Sequence, residues 1–177
     1  MALASPPPQF PENSLILESL PRVEFADAFS ASFRSRRNVP AGLLLPLFFK
    51  AIPAPARWLL AGREVLARLV GLKTAQGRRQ VEREIRRFRG QVGDRIALFE
   101  VLAASPIELL TGMNDQHLDF RLSLRLQRLS PDTCRLWLLT QVQTHNRLGR
   151  TYMAMVKPVH RWLMQRVVRN MALALER

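Results

Sequence analysis

The sequence predicts an α+β fold, with antiparallel strands in the middle of the chain and helices on either side of them. Three observations carry that reading. Leu118, Phe120, Leu122, Leu124 and Leu126 alternate with Asp119, Arg121, Ser123, Arg125 and Gln127. Such a period-two run is a strand packed on one face and solvated on the other. Ser130-Pro131-Asp132-Thr133 then supplies turn chemistry, and Cys134–His145 returns as the partner strand. From Asn146 to about Leu175 the period changes: Leu148, Tyr152, Met155, Val159 and Leu163 recur at helical spacing.

The earlier elements follow in order. Ser5-Pro6-Pro7-Pro8 to Pro11 is Pro-rich, so residues 1–13 are expected to form a flexible tail and residues 14–177 a single domain. Val23, Phe25, Phe29, Ala31 and Phe33 alternate as a strand, with Asp27 interrupting the buried face or sitting at a bulge. Pro40 suits a helix start, and the apolar run Gly42–Ile52 follows it. Pro46 either marks the true start of that helix or kinks it. Pro53 and Pro55 stop it. A second helix is predicted from about Pro55 to Leu72, with Trp58, Leu59, Val65, Leu66 and Leu69 on one stripe. Thr74–Gln91 is polar. Val81, Ile85 and Phe88 recur within it at helical spacing among arginines, which reads as a solvated basic helix or an exposed strand pair. Arg95–Ala103 and Ile107–Thr111 read as strands separated by Ser105-Pro106, and Gly112 with Asn114 and Asp115 marks the next turn. Cys134 to Val142 places Cys134, Leu136, Leu138, Thr140 and Val142 on one face. Trp137 and Leu139 on the other imply that it too is partly covered. Asn146 is placed as a helix N-cap. Pro158 lies inside the long final helix and predicts a bend there.

Composition limits the function. The 177 residues carry 47% apolar and 23% charged side chains, enough for a substantial core. No apolar run approaches the length of a membrane span, and the N-terminus lacks a basic region followed by an apolar core, so a cytoplasmic protein is expected. One cysteine neither staples a fold nor builds a thiolate metal site alone. The net charge is +13, and 24 of the 27 basic residues are arginine. Such a surface suits nucleic acid or an anionic membrane, but no recognisable binding module accompanies it, and a compositional preference for arginine is the simpler account. There is no P-loop, no Gly-x-Ser-x-Gly elbow and no paired carboxylate motif, so a nucleophilic or phosphoryl-transfer enzyme is not indicated.

The remaining chemistry lies in Asn114–Leu163, which holds all three histidines, the cysteine and the one tyrosine. Asp119 and Arg121 share the polar face of their strand. They form either a surface ion pair or the mouth of a cavity. Tyr152 and His160 lie about two turns apart on the last helix, either packed beneath it or directed at a ligand. Asp119, His145 and His160 have metal-ligand side chains without ligand spacing, so no metal is expected.

Several blocks carry a resemblance. They are LPRVEFADAF (Leu20–Phe29), GLK (Gly71–Lys73), VGDRIALFEVL (Val92–Leu102), NDQHLDFRLSL (Asn114–Leu124) and THNRLGRTYMAMVKPVHRWLMQRVVR (Thr144–Arg169). With them the chain, from about Leu15 to Met171, resembles a bacterial domain-of-unknown-function family, number twenty-eight sixty-seven. The order of elements resembles the START-like helix-grip fold. The resemblance implies a curved antiparallel sheet gripping a long C-terminal helix, often around an apolar cavity. Members of the family also occur behind an NAD-binding domain, but no Gly-rich strand–turn–helix fingerprint is present here, so no cofactor, and no dinucleotide bound by that route, is expected. The resemblance establishes no catalytic residue. It implies a small hydrophobic or amphipathic ligand between sheet and helix. The expected walls are Phe120, Leu122, Leu138, Thr140, Tyr152, Val156 and His160, with Asp119, Arg121 and His145 as polar contacts. A cyclase- or hydrolase-like reaction in the same cavity, using Tyr152 and His160 with Asp119 or Arg121, is the alternative. A polyanion or protein partner for the basic surface is a second one.

Overall fold

The computed structural model describes residues 9–53 and 78–176. Six strands form one antiparallel, curved sheet: β1 (Phe25–Arg34), β2 (Arg95–Ile96), β3 (Phe99–Ala104), β4 (Glu108–Asn114), β5 (Leu118–Ser130) and β6 (Thr133–Thr144). Their spatial order is β1-β6-β5-β4-β3-β2. A single 3-10 turn (Ala41–Leu43) leads into α1 (Leu44–Ala51), α2 spans Arg78–Arg87, and α3 spans Arg147–Glu176. The fold is α+β, consistent with a helix grip. The helix predicted from Pro55 to Leu72 lies outside the described residues.

Register follows the apolar alternation. Leu122, Leu124 and Leu126 on β5 stand opposite Thr140, Leu138 and Leu136 on β6. Phe29, Ala31 and Phe33 on β1 continue the same face across Leu138, Leu136 and Cys134. A slip of one residue would turn all of these outward, so burial fixes the pairing. On this face Leu124, Leu136 and Leu138 pack with Leu44, Leu45 and Phe48 of α1 and with Leu163, Val167 and Met171 of α3. Each such side chain contributes about 1.5–3 kcal/mol when fully buried. Phe99 caps the far end of this core, in contact with the rings of Phe48, Phe49 and Phe120. Pro46 sits in the first turn of α1, where its missing N–H leaves no helix bond unmade.

The alternation in β5 alone implies a solvated opposite face, but that face is covered. Ile16 of the N-terminal segment packs there on Leu110 and Leu139, with Phe10, Leu15, Ala28, Ala103 and Trp137 around them. Arg121 and Ser123 are buried on this face. The expected strand Arg95–Ala103 is in fact a hairpin. It turns at Ala97 (φ 55°), whose N–H leaves the ladder and is bonded by the Glu84 carboxylate at 2.8 Å. The basic segment before it forms α2. That helix is only half solvated, because Val81, Ile85 and Phe88 rest against the core. Gly90 (φ 77°) crosses Gly42 so closely that a Cβ on Gly90 would lie 2.4 Å from the Gly42 Cα.

α3 begins as predicted. Asn146 accepts the Gly149 N–H at 3.0 Å, a side-chain N-cap. Its amide also meets His117 Nδ1 at 2.8 Å, tying the helix start to the β4–β5 hairpin. α3 lies across β1 and β6. From Leu163 to Ala172 it is firmly packed, through Leu163, Met164, Val167, Val168, Met171 and Ala172. Between Ala154 and Trp162 it has no buried residue. Among the described residues no helix is long and apolar enough to cross a membrane.

Candidate functional site

Beneath that middle stretch of α3 the sheet carries its one carboxylate on the helix side of β1. Asp27 continues the face of Phe25 and Phe29, opposite Thr140 of β6, and is 7% exposed. There is no bulge at this position. Arg161 Nε donates to Asp27 Oδ1 at 3.2 Å, and His160 Nδ1 lies 3.4 Å from Oδ2. The Asp27 Oδ2, Thr140 Oγ1 and His160 Nδ1 atoms are buried, and among the described residues none of them makes a hydrogen bond. Buried polar atoms usually find partners, and each one left without costs about 1–3 kcal/mol. Asp27 Oδ2 and His160 Nδ1 face each other as an ion pair outside hydrogen-bond geometry, with Thr140 Oγ1 beside them unbonded.

The surroundings are apolar and aromatic. The Phe25 ring meets the His160 imidazole edge-on, with centroids 5.5 Å apart, and Lys157 Nζ stands 5.3 Å from the same ring. Phe25, Leu118, Val142 and Met153 form a compact cluster, with Phe120 and Tyr152 packed against it. An acceptor, a hydroxyl and an imidazole thus sit on an apolar floor, with Lys157 and Arg161 at the rim. Such a patch can bind hydrogen-bonding groups of a largely apolar molecule. It can also move a proton between Asp27 and His160, were a reacting group placed there.

Seven side chains are expected to wall a cavity between the sheet and the C-terminal helix. Thr140 and His160 belong to the patch, and Phe120 and Tyr152 to the cluster beside it. Val156 is half-buried on the stretch of α3 above. Leu122 and Leu138 lie in the main core, fully packed. The three polar contacts are elsewhere. Asp119 and Arg121 alternate out of phase with Leu118 and Phe120, which puts them on the other face. Asp119 pairs with His145 Nε2 at 3.1 Å and accepts the Asp115 N–H. Arg121 lies along Gly112 and donates to the Phe120 and Met113 carbonyls. Burial pushes its guanidinium pKa below the ordinary value, while the charge of Asp119 opposes that fall. The structure therefore does not bring Asp119 or Arg121 together with His160. Nor do Asp119, His145 and His160 converge, and among the described residues no group of metal-ligating side chains is assembled.

Two residues carry more of the arrangement than the alternation announces. One is Asp27, visible in sequence only as a break in an apolar face. The other is Glu108, 1% exposed on β4. Its Oε1 accepts the hydroxyls of Ser14 and Ser123 at 2.5 Å each, and the Leu15 N–H at 3.0 Å. Its Oε2 pairs with Arg125 at 3.1 Å. That carboxylate is fully engaged, so its role is to fasten the N-terminal segment to the sheet.

Residues 19–167 match the family described as "Protein of unknown function (DUF2867)". No curated protein and no solved structure matches the chain.

Proposed function

We propose a ligand-binding role for this chain, which belongs to the DUF2867 family of proteins of unknown function. The ligand is a small amphipathic molecule held between the sheet and the middle of α3. One observation carries the reading: within an apolar and aromatic surround, Thr140 Oγ1 is buried without a hydrogen bond, and Asp27 Oδ2 and His160 Nδ1 are buried with only their mutual ion pair. A polar group that costs stability without a partner recovers it when a ligand supplies one. The face of α3 above the patch supports the same reading, since Ala154–Trp162 contributes no buried side chain. The apolar part of the ligand rests on Phe25, Phe120 and Val142, and its polar part meets Asp27 and His160.

Native mass spectrometry of the protein as expressed, followed by solvent extraction, tests this. The expected result is a co-purified species of a few hundred daltons that is lost in Asp27→Leu and in His160→Leu. A wild-type protein that carries no small molecule, and whose melting temperature is unmoved by a panel of fatty acids, sterols and aromatic polyketides, would sink the idea.

A further inference from the structure

A second site lies at the opposite edge of the sheet from Asp27. A cleft of about 400 Å³ opens between α2 and the β2–β3 hairpin, lined by Gln80, Arg83, Glu84, Arg87, Phe88, Asp94 and Arg95. Three guanidinium groups and two carboxylates line it, but they are not equally free. Glu84 is committed to the Ala97 N–H and to Gln80. Asp94 is committed to the N–H groups of Arg89 and Gln91, at 2.9 and 3.1 Å. Arg95 is paired with Glu100. Arg83 and Arg87 remain. Among the described residues neither is hydrogen-bonded or ion-paired.

These two arginines stand four residues apart on one helix, so they are neighbours on its surface. Like charges at that spacing weaken a helix slightly. Here the two acids that line the cleft, Glu84 and Asp94, are used to hold the loop backbone. The helix itself is fixed, because Val81, Ile85 and Phe88 anchor it to the core. Two free forks on a fixed helix, above a cleft with one aromatic wall, match a tetrahedral oxyanion attached to an organic group.

We propose that this cleft binds the phosphate of a small phosphorylated ligand, gripped by Arg83 and Arg87, with the organic part against Phe88. The shared chemistry is a phosphate monoester, whether free in solution or the headgroup of a lipid.

The test is calorimetric titration of the full chain, at low ionic strength, with inorganic pyrophosphate and with a soluble aryl phosphate. Vesicles of phosphatidylcholine with and without phosphatidic acid form a parallel arm. Arg83→Gln/Arg87→Gln is expected to weaken binding at least tenfold. Arg79→Gln/Arg86→Gln removes the same charge from exposed positions outside the cleft and is expected to change binding less than twofold. Arg83→Lys/Arg87→Lys keeps the charge but loses the fork, and is expected to fall between. Binding of the soluble phosphates identifies a free ligand. Binding of phosphatidic acid vesicles alone identifies a headgroup. Equal weakening by the two glutamine doubles, for phosphates or for a DNA duplex, would overturn the site in favour of diffuse attraction. So would the absence of binding in both arms. All these positions are exposed, and circular dichroism confirms that each variant is folded.

Discussion

Ser14 donates its hydroxyl to Glu108 across 94 residues of chain, at 2.5 Å, on the face of the sheet away from α3. Glu108 holds the N-terminal segment down with both carboxylate oxygens, and its partner Arg125 also donates to the Asn13 carbonyl. Removing the acid would leave Ser14, Ser123 and Arg125 facing an empty, desolvated position. Glu108→Ala is expected to lower unfolding free energy by about 3 kcal/mol or more. Glu108→Gln, which keeps an acceptor oxygen, is expected to cost less. Urea unfolding monitored by tryptophan fluorescence checks both, and equal stability of Glu108→Ala and wild type would refute the fastening role.

Asp27 behaves in the opposite sense. Its carboxylate is buried but only half bonded, and its partner Arg161 is half-exposed and can return to water. Asp27→Leu is therefore expected to leave stability unchanged or raise it by about 1–2 kcal/mol in the ligand-free protein. The same change is expected to abolish ligand retention. Stability that falls sharply instead would show that Asp27 serves the fold.

Gly149 lies in the first turn of α3, against the β4–β5 hairpin. A Cβ there would come within 2.2 Å of the His117 carbonyl oxygen. That obstacle is backbone, fixed further by the His145 N–H bond to the same oxygen. Gly149→Ala is expected to cost about 1–3 kcal/mol, in the manner of overpacking, despite the better helix propensity of alanine. A thermal melt of the variant decides the sign.

Asp94 gives the loop after α2 a pH dependence. N–H groups of Gln91 and then Arg89 hold its carboxyl below the ordinary value of 3.8. A depressed folded pKa means that the carboxylate's contribution is complete above the unfolded pKa. It is lost as pH falls through the folded value. The loop is thus expected to be unchanged from neutral pH to about 5 and to loosen only below about 4. Amide chemical shifts of Arg89 and Gln91 across an acid titration report it, and Asp94→Asn should remove the transition.

The alternation in β5 and β6, the turn between them and the Asn146 cap were all legible, because each rests on local periodicity or one side-chain bond. What covered the second face of the sheet was not. Leu139 and Trp137 hinted at a cover, but the Ile16 segment is remote in sequence, and no local pattern binds it to Ser123. The β2–β3 hairpin was hidden for another reason. Ala97 turns the chain at positive φ without glycine or asparagine, using a carboxylate 13 residues away. Of the candidate site, Thr140, Tyr152 and His160 were readable from face and spacing. Asp119 and Arg121 share the polar face of their strand, and that parity separates them from the helix side. Asp27 showed only as an interruption, since its partners Arg161 and His160 come from the other end of the chain.

α3 is supported like a bridge deck. One abutment is the Asn146–His117–Gly149 joint, the other the packed run from Leu163 to Ala172. The span between them, Ala154–Trp162, includes Pro158, which cannot donate a backbone bond to the turn before it. Hydrogen exchange is expected to be fastest in that span and slow at both supports, and uniform protection along α3 would contradict it. On the proposed ligand-binding role, a molecule reaching Asp27 would have to lift about two turns of helix. The sheet, the joint and the main core would stay closed during such entry.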